Sequence, residues 1–159
     1  MPFTPFHLGP GLLVKGAVPR HVSLSAFAAT QVVVDLEPLT FILRGEYPVH
    51  RWAHTVAGAG AVGLAVGAAL WALGRRWRTT AAPALGRDLR WSAALVGGVI
   101  GGISHPLLDG LMHRDVRALR PFAETTWVLE PKGVAVLHLG CVMAGVLGAI
   151  LLVVRRAKA

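Results

Sequence analysis

The sequence predicts an all-α, polytopic membrane bundle: four near-full transmembrane helices and a short N-terminal helix folded back as a hairpin. Three observations carry this. The 159 residues are 54% hydrophobic with a mean hydropathy of +0.58, too apolar for a soluble fold of that length. Runs 52–74, 91–112 and 134–154 each reach the roughly 20 residues that a helix rising 1.5 Å per residue needs to cross a bilayer. Proline and glycine mark the breaks between them.

The elements follow in order within a single domain, 1–159. Residues 8–18 are apolar but short and carry Lys15, so this first arm enters only part way. Pro19 and Arg20 turn the chain, and 21–36 returns as the first long crossing. A loop over 38–48 leads to a helix over 50–74, and a basic loop over 75–86 to one over 91–113. The loop 117–133 holds Trp127, Glu130 and Pro131 and reads as a lid or interfacial segment, before the last helix over 134–154. Gly63 and Gly67, Gly97 and Gly101, and Gly98 and Gly102 are spaced by four, which lets membrane helices approach closely. Pro106, behind Gly101 and Gly102, predicts a kink or a restarted helix capped by Ser104. Trp52, Trp71, Trp77, Trp91 and Trp127 suit interfacial aromatic belts.

Charge bounds the function. The net charge is +8 and the pI about 11.3, but the cations lie between apolar runs rather than along one helical face, which argues against a nucleic-acid partner. They read as topology signals instead. Lys15, Arg20, Arg75, Arg76, Arg78, Arg87, Arg90, Arg155, Arg156 and Lys158 fall on one side and outnumber Arg44, Arg51, Arg114, Arg117, Arg120 and Lys132 on the other. The first side, with the C-terminus, is therefore expected in the cytoplasm. The start, MPFTP, lacks a basic n-region, so residue 1 is expected to persist. Cys141 is the only cysteine, which excludes an internal disulfide and a thiolate metal cluster.

Candidate site residues stand out because ionisable groups cost about 3 kcal/mol or more each at a bilayer centre and so mark a pathway or a reacting site. They are His7; Asp35 and Glu37; His50 and His54; His105, Asp109 and His113; and His138. Imidazole nitrogen with carboxylate oxygen suits a zinc-like ion. Because successive crossings alternate in direction, all of these fall at one membrane face, with His7 joining through the folded-back hairpin. His50 and His54 are four apart, as are His105, Asp109 and His113, so each set is expected on one helix face. The latter stripe covers about 12 Å, too long for one ion and suited to two or three. Plainer readings stand beside these. A lone histidine such as His138 or His21 is more often a hydrogen-bonded core residue, and His21, beside Arg20, is set aside. Asp35 and Glu37 would cap a helix end, yet that end disfavours negative charge, which directs Asp35 towards a cation. Arg51 is an interfacial anchor or a contact for substrate phosphate.

The segments MPFTPFHLGPG, VVVDLEP, PVHRWAHT and SHPLLDGLMH, in that order, resemble the inner-membrane-associated metal-dependent hydrolases, a family described as LexA-regulated in some bacteria. The resemblance runs from His7 to about Cys141. A more distant likeness is to the zinc-dependent phospholipase C and nuclease class, helical proteins with a trinuclear zinc site. That likeness implies bridging ligands at His105 and Asp109, with His7, Asp35, His50 or His54, and His113 as further ligands. Its late His-x-x-x-Glu element is matched here only by His138, with Val142 where the glutamate would stand, so two ions are expected.

The function expected is hydrolysis of a phosphoester or lipid-linked substrate by metal-activated water in a bacterial-type inner membrane, with the site on the extracytoplasmic face. Asp109 or Asp35 would bridge the ions, and Glu37, or whichever of His50 and His54 is unligated, would serve as acid or base. Zinc is the expected metal, with manganese or iron as alternatives. The competing readings are a divalent-ion or proton transporter, a haem protein ligated by His54 and His105, and a metal-binding scaffold without turnover.

Overall fold

In the computed structural model, residues 5–77 and 87–157 are described; residues 1–4, most of the 75–86 loop with Arg78, the side chains of Arg76 and Trp77, and Lys158 lie outside the described residues. A single 3-10 turn, Pro5–His7, leads into α1 (Leu8–Ala17). Then come α2 (Leu24–Leu43), a second 3-10 turn at Trp52–His54, α3 (Val56–Trp77), α4 (Trp91–Asp109) and α5 (Pro131–Ala157). The described chain is all-helical, and α2, α3, α4 and α5 are each long and apolar enough to cross a membrane.

Local chemistry fixes the hairpin. Ser23 caps α2 by accepting the N–H of Ala26, its own N–H donates to the carbonyl of Ala93 at 2.8 Å, and its hydroxyl donates to Asp88 at 2.8 Å. Asp88 also accepts the N–H groups of Leu24 and Ser25, where the helix dipole favours a carboxylate. Lys15 closes the arrangement from α1, reaching Asp88 at 2.5 Å and the carbonyls of Pro19 and Val22. The charge that keeps α1 short therefore ties the hairpin to the start of α4.

Several helix boundaries differ from expectation, among them the start of α5 at Pro131, inside the segment expected as loop to 133. Pro38 does not end the first crossing; α2 runs through it to Leu43, because one missing backbone bond is tolerated inside an apolar bundle while Phe41, Ile42 and Leu43 continue the run. Asp35 and Glu37 are thus mid-helix rather than terminal. Residue 50 does not begin a helix: Thr55 accepts the N–H of Gly58 and starts α3 at Val56, leaving His50 in loop and His54 in the 3-10 turn. α4 continues unbroken through Pro106, and Ser104, instead of capping a restart, donates to the carbonyl of Gly101 within the helix. It then stops at Asp109, with Gly110 following, so His113 is delivered by a terminal turn in which its N–H donates to the carbonyl of Asp109.

The spaced glycines set the packing. A Cβ on Gly63 or Gly98 would strike the backbone carbonyl of the other, and one on Gly97 would strike the carbonyl of Ser23. One face of α4 therefore meets α3 backbone to backbone, while the next meets α2. α5 packs chiefly along α1 and turns Val136, Met143, Ile150 and Val153 outward, as lipid-facing residues would be. The 110–130 segment is not a detached lid: Val116 and Ala118 are buried, and the Ala118 carbonyl accepts the N–H of Val56 at 2.8 Å, pinning the segment over the start of α3. Its outer part stays open, with Phe122 90% exposed.

Candidate metal centre

The inward stripe of α2 is Ala26, Phe27, Thr30, Gln31, Val34, Asp35 and Pro38, the 3.6-residue period of a buried face. Gln31 and Asp35, one turn apart, both meet His105 of α4. Gln31 donates its amide N–H to the carbonyl of Gly101, so its amide oxygen is turned to His105 Nδ1, at 2.5 Å. An amide oxygen only accepts, which places the proton on Nδ1 and leaves Nε2 facing inward. There Nε2 lies 3.2 Å from Asp35 Oδ1 and 3.3 Å from Asp109 Oδ2.

His54 repeats the plan. Glu37 accepts the N–H groups of Arg51 and Ala53 at 2.9 Å each, holding the 3-10 turn against α2, and its Oε2 lies 3.4 Å from His54 Nδ1. His54 Nε2 then points to Asp109 Oδ2 at 3.4 Å and Asp35 Oδ1 at 3.9 Å. His50 is held the same way: Asp115 accepts the N–H groups of Val49 and His50 and lies 2.9 Å from His50 Nδ1. Three imidazoles thus have Nδ1 fixed from behind by an oxygen, the arrangement that orients histidine ligands.

Two groups of ligand atoms result. Asp35, His54, His105 and Asp109, all buried, each place one nitrogen or oxygen within 4.8 Å of the others, and His50, Asp109 and His113 do likewise. Asp109 belongs to both. His7 adjoins the first, with Nε2 3.3 Å from Asp109 Oδ1 and its ring edge-on to His105 at 4.8 Å. The rings of His50 and His54 lie 4.5 Å apart and His50 stacks on His113 at 4.8 Å, so the pairing expected of a helix face is made by loop and turn instead.

The residues fit a cation. His54 Nε2, His105 Nε2, Asp109 Oδ1 and both nitrogens of His7 are buried without a hydrogen-bond partner. Three of the four nitrogen-to-oxygen separations across the first group, at 3.2–3.4 Å, and the fourth, at 3.9 Å, exceed the 2.7–2.9 Å of a charge-assisted hydrogen bond. The three shorter ones match the edge, about 3.4 Å, of a tetrahedron whose centre lies 2.0–2.1 Å from each ligand. Asp35 and Asp109 are each only 4% exposed, and two buried carboxylates side by side call for positive charge between them. Burial first, then the neighbouring His105, hold His7 down to about 4 against the pull of Asp109, which favours its neutral imidazole. At His54 burial works to lower the pKa, but the carboxylates of Asp109 and Glu37 prevail and raise it. His50 is lowered by burial and by His54 against the attraction of Asp115.

The remaining expected residues are placed elsewhere. His138 is in neither group; its ring stacks on Phe6 at 4.4 Å. Both oxygens of Glu37 are engaged by backbone N–H groups, which makes it a positioning residue. Arg51 lies over the Phe41 ring, donates to Pro48 and pairs with Glu46 at 2.8 Å. It also lines a cavity of about 630 Å³ that reaches His50 and Asp115 and carries Arg114, Arg117 and Arg120 on its wall. Sequence reasoning missed Gln31 and Asp115. Gln31 had a signal, as a polar residue one turn before Asp35 in an apolar run; Asp115 had none, since its partner is 65 residues away. The chain matches no family model, no curated protein and no solved structure.

Proposed function

We propose that this protein is a membrane-embedded, metal-dependent hydrolase acting on a phosphoester presented at the membrane surface. The observation that carries the reading is the shell of inward-facing Nε2 atoms and carboxylate oxygens, spaced as ligands rather than as hydrogen-bond partners. Asp35, His54, His105 and Asp109 would hold one ion and His50, Asp109 and His113 a second, with Asp109 shared and His7 alongside. Bound divalent ions, with zinc best suited to this donor set, supply Lewis acidity and bring a water towards ionisation near neutral pH.

The chain's own residues do the rest. Gln31, Glu37 and Asp115 fix the three imidazoles so that little reorganisation is needed when charge develops. The inner group is buried from bulk water, while the 630 Å³ cavity leaves His50 reachable. Arg51, Arg114 and Arg117 on that cavity's wall offer planar guanidinium donors suited to an ester phosphate. The resemblance of the ordered motifs to the inner-membrane-associated hydrolases supports the same reading. By charge asymmetry the metal end faces away from the cytoplasm in an inner membrane, with the C-terminus inside.

The test is turnover of bis(p-nitrophenyl) phosphate by detergent-purified protein supplied with zinc or manganese. Hydrolysis should fall at least 100-fold in Asp109→Asn and His105→Ala. Equal rates in wild type and both variants would contradict the assignment.

A further inference from the structure

The end of the bundle opposite the histidines carries a second cavity, of about 890 Å³. It forms where the turn after α1, the start of α2, the 87–90 segment and the end of α5 converge. Lys15, Arg20, Arg87, Arg90 and Arg156 line it against a single carboxylate, Asp88, which Lys15 already occupies. Among the described residues no carboxylate lies within ion-pair distance of the four arginines. A smaller cavity alongside shares Arg20 and Arg156 and adds Arg155.

The walls are different in character. Leu24 and Ala28 are one turn apart on α2, and Leu152 and Arg156 one turn apart on α5. Because α5 leans on α1 rather than on α2, a cleft stays open between these two pairs. Arginines with no carboxylate partner among the described residues thus share this cavity with Leu24, Ala28 and Leu152, at the ends of helices long enough to cross a membrane.

We infer that this cavity binds the phosphate of an anionic membrane lipid, with its glycerol and upper acyl chains between α2 and α5. Arginines serving only as topology signals need neither convergence from three distant segments nor a cavity. Guanidinium is the group that grips phosphate with paired donors, and each cation near an anionic surface strengthens binding about fivefold. A free polar anion would leave the Leu24, Ala28 and Leu152 walls unused.

The inference is independent of the metal centre and is tested without it. Delipidated full-length protein is titrated with phosphatidylglycerol, with phosphatidylcholine of the same chains, and with inorganic phosphate, and bound lipid per chain is read by native mass spectrometry. One phosphatidylglycerol should bind per chain, at least 10-fold tighter than phosphatidylcholine and undisplaced by equal inorganic phosphate. Arg20→Gln with Arg156→Gln should weaken it about 30-fold, and the single variants about fivefold each should the double variant not fold. Arg44→Gln with Lys132→Gln, at the other end, should leave it unchanged. Equal binding of the two lipids, or wild-type affinity in the arginine variants, or equal loss in both pairs, would overturn the site. Displacement by inorganic phosphate at matched concentration would overturn the lipid as its occupant.

Discussion

The amide oxygen of Gln31 lies 2.5 Å from Nδ1 of His105, 74 residues away, and the same amide's N–H is spent on the carbonyl of Gly101. One neutral side chain thereby sets both the tautomer and the rotation of a buried imidazole whose other nitrogen faces two carboxylates. Gln31 binds nothing itself in this account; it decides what His105 can bind.

Gln31→Leu should therefore keep the helix and lose the orientation. Metal affinity, measured by competition with a chromophoric chelator, should fall 10- to 100-fold, the usual effect of removing such a partner. An unchanged affinity would mean that the ring is held by packing alone.

Asp115 plays the equivalent part for His50. Asp115→Ala should lower bound metal from two ions per chain to one, since Asp35, His54, His105 and Asp109 do not depend on it. His138→Ala should leave the metal content as it is, because His138 stacks on Phe6 outside both groups. Elemental analysis of the two variants side by side distinguishes a residue that supports the centre from one that shares only its residue type.

The hairpin tie predicts an acid dependence. At Asp88 burial acts to raise the pKa, but the bonds from Lys15, Ser25 and Ser23 outweigh it and hold the carboxyl below its ordinary value. A carboxyl with a depressed folded pKa contributes stability in full above the unfolded value of 3.8, and loses it as pH falls through the folded one. Thermal unfolding in detergent should accordingly show a loss as pH falls below about 4 that is smaller in Asp88→Asn. Identical pH profiles would place the acid-sensitive group elsewhere.

The glycine seams predict a steric effect. Gly98→Val would drive a side chain into the carbonyl of Gly63, backbone that cannot rotate away, and should cost about 1–3 kcal/mol or more through helix separation. Gly140→Ala, at a position where an added Cβ meets nothing within 4 Å, should be neutral or slightly stabilising. Melting temperatures of the two variants make the comparison.

The fold was legible because apolar run length and glycine spacing report directly on membrane helices and their close packing. The convergence of Asp35, His54, His105 and Asp109 at one end followed from the alternating direction of the crossings, with His7 added by the folded-back hairpin. The helix ends were not legible in the same way. Pro38 reads as a stop in water, but α2 continues because the apolar run outlasts the proline; Thr55 reads as one polar residue among many until its hydroxyl is seen to cap α3. Those two boundaries move Asp35 and Glu37 to mid-helix and put His50 in a loop and His54 on a turn. The supporting residues were hidden for a further reason: Asp115 and Gln31 gain meaning only from long-range partners, which no local pattern encodes.

Cation binding by the buried histidines and carboxylates is tested most directly by the metal content of protein purified in detergent without chelator. Stoichiometric divalent metal, two ions per chain in the wild type and at most one retained by His54→Ala with His105→Ala, is the result predicted. Protein that is folded yet holds no metal after incubation with zinc, manganese or iron, or a double variant that retains the wild-type complement, would contradict it.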